Sequence, residues 1–188
     1  MMAGAGEGTR MIETPRLRLH KWNDRHRDAF AAMHADPDVM ADYGGPIGRA
    51  ECDEKFERYV AAQRDHGISR WAVEDVDGSL LGYAGVMPWL SNDHPLGAHF
   101  EIGWRFTRKA WGHGYATESA NAALRHAIDD AGLREIVSYT SLDNVRSQAV
   151  MARLNLRRDP ARDFTTLTLR GEAWRGLVWG VPAGWPRG

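Results

Sequence analysis

The spacing of apolar residues changes repeatedly along the chain, and each change predicts an element. Across Thr14–Trp22, Leu17 and Leu19 alternate with Arg16, Arg18 and His20, the two-residue period of a strand with one wet face. Asp24 then stands as the N-cap of a helix carrying Ala29, Phe30 and Met33, which Asp36-Pro37 ends. A second helix is predicted from Ala50 to about Asp65, with Phe56, Tyr59 and Val60 inward and Gly67 as its stop. Arg70–Glu74 and Ser79–Met87 flank Asp77-Gly78, the turn of an antiparallel hairpin. Pro88–Gly97 reads as a loop holding Trp89, Asp93 and His94. In the next strand, His99–Phe106, Phe100, Ile102, Trp104 and Phe106 alternate with polar or small residues. Ala116, Ala120, Ala123, Leu124, Ala127, Ile128 and Ala131 recur at three- and four-residue steps, a long amphipathic helix that Gly132 stops. Glu135–Ser141 is a short buried strand, and another helix begins at Asn144. Thr166–Leu169 and Leu177–Val181 close the sheet as a final antiparallel pair around Gly171, with Gly180 and Pro182 weakening the last strand.

The sum is a single-domain α/β fold: a mixed, mostly antiparallel sheet flanked by helices, with one parallel pair joined by the glycine-led helix. Met1–Arg10, rich in Gly and Ala, reads as a disordered tail, which leaves 11–188 as the folded domain. The tail lacks the apolar run of a signal peptide, and no later segment has the apolar length of a membrane span.

The junction between the His99–Phe106 strand and the long helix carries the clearest chemistry. It runs from Arg108 through Gly112, His113 and Gly114 to Asn121. A strand that enters a helix through a glycine-rich turn leaves the first helical N–H groups unpaired, with the positive end of the macrodipole behind them, and that geometry binds phosphate. The backbone N–H groups of residues 112 to 117 are the donors, and His113 or Arg108 adds charge. No Gly-Lys-Ser/Thr follows, which argues against a P-loop. Thr117 occupies the place of the third glycine of a dinucleotide fingerprint, which disfavours a nucleotide-binding oxidoreductase.

Trp111-Gly112-His113-Gly114-Tyr115-Ala116 resembles the acyl-CoA pyrophosphate loop of the GCN5-related N-acetyltransferase (GNAT) family, Gln/Arg-x-x-Gly-x-Gly/Ala. Gly114 and Ala116 match, and Trp111 departs from the general Gln/Arg. Trp-Gly-x-Gly-Tyr-Ala-Thr-Glu looks like the form found in the branch that acetylates ribosomal-protein N-termini, the RimJ/RimL type. Asn144-Val-Arg-Ser147-Gln-Ala-Val-Met151-Ala-Arg-Leu154 resembles a second segment of that branch. The resemblance runs from about Thr14 to the end. It implies acetyl-CoA as donor, a primary amine as acceptor, and donor contacts from Ile102, Trp104, Arg108, Lys109, Gly112, His113, Gly114, Tyr115, Ala116, Thr117 and Asn144. It also implies that the first two helices and their connection wall the acceptor site, so Tyr43–Pro46 is either a mobile rim or an ordinary surface loop. A homodimer is compatible with it.

Acetyl transfer to an amine needs a proton acceptor for the amine and an acid for the leaving thiolate. Glu101 is the candidate base, set among apolar neighbours where desolvation would raise its pKa. Period two also puts His99, Glu101 and Arg105 on one face, which reads equally as wet or ion-paired. The family often has a Glu at this point of the strand, acting directly or through water. His94, His99 and Asp93 are rivals on position. Ser147, three residues after Asn144, reads as part of an N-cap, and the resemblance adds that its hydroxyl can protonate the thiolate. Tyr139 and Tyr115 are fallback acids. Glu118, one turn into the helix, reads as a structural helix-start residue, since its charge is unfavourable beside a pyrophosphate.

Composition narrows the classes further. A formal charge of -1 and no basic run argue against nucleic acid. The single cysteine, Cys52, cannot form an internal disulfide and fits a reducing cytoplasm; nothing around it marks a nucleophile. His94 and His99 have the wrong spacing and partners for a metal site. Two rivals stand beside a protein N-terminal acetyltransferase. One is an acetyltransferase for a small amine such as an amino acid, polyamine or aminoglycoside. The other is a non-catalytic acyl-CoA-binding or regulatory domain, which would need neither Glu101 nor Ser147.

Overall fold

The computed structural model describes residues 11–167 and 171–185; the Met1–Arg10 tail, and Thr168 and Leu169 of the predicted penultimate strand, lie outside them. The described strands form one connected sheet. β1 (Ile12–Glu13) and β2 (Arg18–His20) lead antiparallel into β3 (Arg70–Glu74), β4 (Leu80–Trp89) and β5 (His99–Phe106). β6 (Ile136–Thr140) joins β5 in parallel, and β7 (Arg157–Arg158), β8 (Phe164–Leu167) and β9 (Ala173–Gly180) complete it beyond β6.

Helices cover both faces, which is why all five residues of β3 are buried. On one side, α1 (Arg27–His34) and α2 (Arg49–His66) bury Phe30, Phe56 and Tyr59 against Trp22, Ala72 and Tyr83. On the other, α3 (Tyr115–Arg125) and α4 (Val145–Arg153) bury Ala120, Ala123, Leu124 and Met151 against Trp71, Val73, Ala84, Val86, Ile102 and Phe106. Small residues on the inner stripe of α3 bring that helix close to the sheet.

The hairpin, the second helix with its Gly67 stop at φ 71°, and the parallel pair match the periodicity. Four details differ. Asn23, not Asp24, caps the first helical turn: its side chain accepts from Arg25 N–H at 3.2 Å and the His26 ring reaches back to its N–H. Asp24 faces solvent and pairs with Arg27. β4 runs through Pro88 to Trp89; β3 pairing has already stopped at Gly85, so the missing N–H falls where an edge tolerates it. The glycine-led helix ends as a π-turn, His126–Asp130, before Gly132 at φ 70°. Finally, β8 pairs with Ala173–Gly176, while Leu177–Gly180 pairs with β6 and its last two residues also with β7. That apolar run needs neighbours on both sides, and Pro182 falls beyond the strand, where its missing donor costs nothing.

One divergence positions the site. β5 and β6 register only at Phe100↔Ile136 and Glu101↔Val137, and Ser138 Oγ adds a bond to the Ile102 carbonyl at 2.9 Å. Beyond it, Gly103–Phe106 pair with β4 alone among the described strands, so a cleft opens between β5 and β6.

Candidate functional site

At the mouth of this cleft Gly112 and Gly114 take φ of 80° and 79°, left-handed values that glycine adopts without strain. Gly114 is the N-cap of α3, and no side chain caps the helix; Glu118 N–H is already bonded to the Gly114 carbonyl at 3.1 Å. The N–H groups of Tyr115, Ala116 and Thr117 precede the first intrahelical bond and aim outward. Thr117 Oγ1 is buried with no partner among the described residues. Donors left open at the positive end of a helix suit an anion.

The loop is braced from the chain's start. Arg16 Nη1 donates to the His113 carbonyl at 2.9 Å, and its guanidinium lies 4.8 Å from the Tyr115 ring centre. Glu118 accepts from Thr14 Oγ1 at 2.6 Å and from Arg16 Nε at 2.8 Å. Burial would raise the Glu118 pKa, but these hydrogen bonds outweigh it and hold the carboxyl below its ordinary value. Its charge is thus turned away from the loop, in keeping with a structural part. The His113 ring stacks on Tyr115.

A cavity of about 700 Å³ opens beside the loop, lined by Asp38, Ala41, Arg108, Lys109, Trp111 and Arg146. Three cations face one carboxylate there, and Arg108 is paired with Asp38. Trp111 donates from Nε1 to the Phe106 carbonyl at 2.9 Å, tying the loop to the strand end, and carries the Arg146 guanidinium 4.1 Å from its ring centre. Neither Arg146 nor the Trp111 ring was singled out by pattern; the one available signal was Arg146 lying between Asn144 and Ser147. A hollow of about 620 Å³ on the outer face of α2 is lined by residues such as Arg27 and Glu57 that pair with each other.

Along the cleft, the polar groups of β5 residues alternate between β4 and the open side. The Ile102 carbonyl goes to Ser138 and that of Phe106 to Trp111, so the Trp104 N–H and C=O between them point into the cleft. The Ile102 side chain is fully buried in the α3 core, and Trp104 is half-buried against it.

Glu101 points to the opposite face, toward α2. It was expected among apolar neighbours; instead Arg70 Nη2 pairs with its Oε2 at 2.9 Å, and the Tyr139 phenol lies beside it. The Arg70 guanidinium passes over Gly103, where a Cβ would meet its Nη2 at 2.7 Å, and donates to the Gly85 carbonyl. The face shared by His99, Glu101 and Arg105 is therefore ion-paired rather than wet. His99 is buried, and Arg105 pairs with Asp42 at 2.8 Å. His94 stacks with Tyr139 and contacts the His99 ring. Burial raises the Tyr139 pKa, and so does Glu101 beside it.

Asn144 caps α4 by accepting from Ser147 N–H at 3.1 Å and donates from Nδ2 to Asp42 at 3.4 Å. The cap therefore uses the Ser147 backbone and leaves its hydroxyl out. Glu101 and Ser147 stand on opposite walls of the cleft, on β5 and on the helix that follows β6. Cys52 is buried, and burial raises its pKa.

Known proteins share this sequence pattern and fold. The family model described as acetyltransferase (GNAT) domain matches residues 16–157. The FsC-acetyl coenzyme A-N(2)-transacetylase of Aspergillus fumigatus is 30% identical over 147 residues, covering 75% of this chain and 62% of that protein. Among solved structures, an acetyltransferase from Agrobacterium tumefaciens str. C58 superposes with a TM-score of 0.77 at 24% identity, over 97% of this chain and 100% of the other. RimL, a ribosomal L7/L12 alpha-N-protein acetyltransferase, superposes with a TM-score of 0.73 at 14% identity, over 95% and 97%. At these identities the superpositions establish the shared fold.

Proposed function

Because the chain belongs to the GNAT acetyltransferase family, we propose that it moves an acetyl group from acetyl-CoA to a primary amine by direct attack in a ternary complex. The observation that carries this reading is the uncapped start of α3, where Gly112 and Gly114 bend the loop and Thr117 Oγ1 lies buried without a partner among the described residues. Open N–H groups and an orphaned hydroxyl fit a pyrophosphate, and Arg108, Lys109 and Arg146 line a cavity beside them that suits further phosphate charge. The Trp104 N–H and C=O supply strand-like hydrogen bonds to the pantetheine amides, with Asn144 on the facing wall. Acetyl-CoA, as donor substrate, brings an activated acetyl thioester.

In this reading Glu101 takes a proton from the acceptor ammonium, directly or through one water, and the freed lone pair forms the C–N bond as the C–S bond breaks. Arg70 holds the Glu101 carboxylate in one orientation. Ser147 gives its hydroxyl proton to the departing thiolate and is reprotonated by the proton the amide nitrogen sheds. The products are the N-acetylated amine and free CoA.

For the acceptor, the segments at Trp111–Glu118 and Asn144–Leu154 support an N-terminal residue of a ribosomal or other protein. The Aspergillus relative is named for transfer to an N(2) position and not for a protein N-terminus, and this supports the alternative of a small-molecule amine. A screen of peptide N-termini, amino acids, polyamines and aminoglycosides, with thiol detection of released CoA, tests the proposal. Turnover with one acceptor class is the expected result. Acetyl-CoA binding without turnover of any amine would favour the non-catalytic binding domain.

A further inference from the structure

Lys55 takes no part in the roles above. It projects from α2 toward the sheet face that carries Glu101 and is only 7% exposed. Among the described residues no ion pair reaches it; its ammonium sits 4.5 Å from the centre of the Tyr43 ring. The cations Arg105, Arg58 and Arg70 oppose its charge, and Tyr83 offers a phenol oxygen. Arg70 is taken up by Glu101 and Arg105 by Asp42. The cluster of Lys55, Arg70 and Arg105 thus holds one positive charge more than its two carboxylates.

A buried ammonium without a counter-charge is unfavourable, and burial depresses the Lys55 pKa accordingly. Such a group is retained where a ligand supplies the missing charge. The Tyr43 ring that covers it closes a short 3₁₀ turn before Gly44 and Gly45, at φ 89° and 111°, so the cover is a loop and not a core element. Tyr83, beside Lys55, pairs across the sheet with Arg105, and Met87 with Glu101. That offset is four residues of β5, about 13 Å of strand, which the long side chains of Lys55 and Glu101 shorten.

Building on the acetyltransferase reading, we propose that the acceptor amine carries an anionic group, a carboxylate or a phosphate, which Lys55 pairs with while the amine lies at Glu101. The test uses the full chain at saturating acetyl-CoA with matched amines: glycyl-glutamate against glycyl-glutamine for a carboxylate, and O-phosphoethanolamine against ethanolamine for a phosphate. Wild type should favour the acidic member of one pair at least tenfold in kcat/KM, through KM. Lys55→Met and Lys55→Gln should erase that preference. No preference in wild type, or the same preference in both variants, overturns the proposal. In the absence of ligand, Lys55→Met should melt at or above wild type, since methionine fills a similar volume without a charge to desolvate. A fall of several degrees would show that the chain itself satisfies Lys55, and would also overturn it. A wild type whose melting ignores acetyl-CoA would instead sink the transferase reading, which separates the two failures.

Discussion

Glu101 changes meaning most between pattern and structure. The Arg70 pair makes it a held carboxylate, and the test of its chemistry is a comparison of pH profiles. With one acceptor of low amine pKa, kcat/KM of wild type should rise with pH, and Glu101→Gln should remove or displace that limb. Gln keeps the volume and an oxygen for Arg70, so a folding defect is a poor imitation. Coincident profiles would make Glu101 purely structural. Ser147 now separates cleanly from the cap, because Asn144 takes its N–H and not its hydroxyl. Ser147→Ala should lower kcat by roughly 10- to 1,000-fold with the melting point and the acetyl-CoA KM nearly unchanged. Asn144→Ala should instead cost about 1 kcal/mol of stability. His34 offers a prediction about stability alone. It is fully enclosed, with Nε2 unpartnered among the described residues, and burial, then the Lys55 charge, lower its pKa to about 3. The unfolded chain therefore binds this proton first, and stability present at neutral pH is lost as pH falls from about 6.5 toward 3. Denaturant titrations of His34→Leu should show a smaller loss between pH 7 and pH 4, by about 3 kcal/mol. Equal losses would mean that His34 protonates in the folded state.

At the scale of the element, α3 is a helix whose start is left open while its flank is secured. Arg16 and Thr14 absorb the Glu118 carboxylate, so among the described residues no side chain caps the first-turn N–H groups. Acetyl-CoA at a hundred times its dissociation constant should raise stability by about 2.7 kcal/mol, and Gly114→Asp should abolish the gain by placing a like charge in the phosphate space. Thermal scans with equal shifts for both proteins would remove the loop from the mechanism. The turn, the helix and its phase were legible, because glycine spacing and a 3.6-residue stripe are local properties. The π-turn at His126–Asp130 was not: nothing in the apolar spacing breaks there, yet the wider turn leaves Ala131 exposed.

For the whole molecule, the decisive feature is the parting of β5 from β6 after Glu101. It leaves the Trp104 N–H facing the cleft, and acetyl-CoA should slow hydrogen exchange at that amide more than at Val73, which lies between two paired strands. Equal protection at both sites would indicate global stabilisation without strand-like pairing. The same parting sets the loop and the α4 cap on one opening, with Asp42 bridging from the α1–α2 side to Asn144.

The order of elements, the parallel crossover and the phosphate loop were written in the sequence, because periodicity, turn residues and helix ends depend on neighbours within one or two turns. The tertiary structure alone decided that Arg70 would lie over Gly103 to take Glu101, that Arg146 would meet Trp111, and that Trp179 and Gly180 would be an interior strand segment. It also decided that Lys55 would be enclosed with no ion pair reaching it among the described residues. These outcomes rest on partners tens of residues apart, whose meeting is set by strand register and helix packing, and no local pattern of charge or hydrophobicity encodes which distant side chain will arrive.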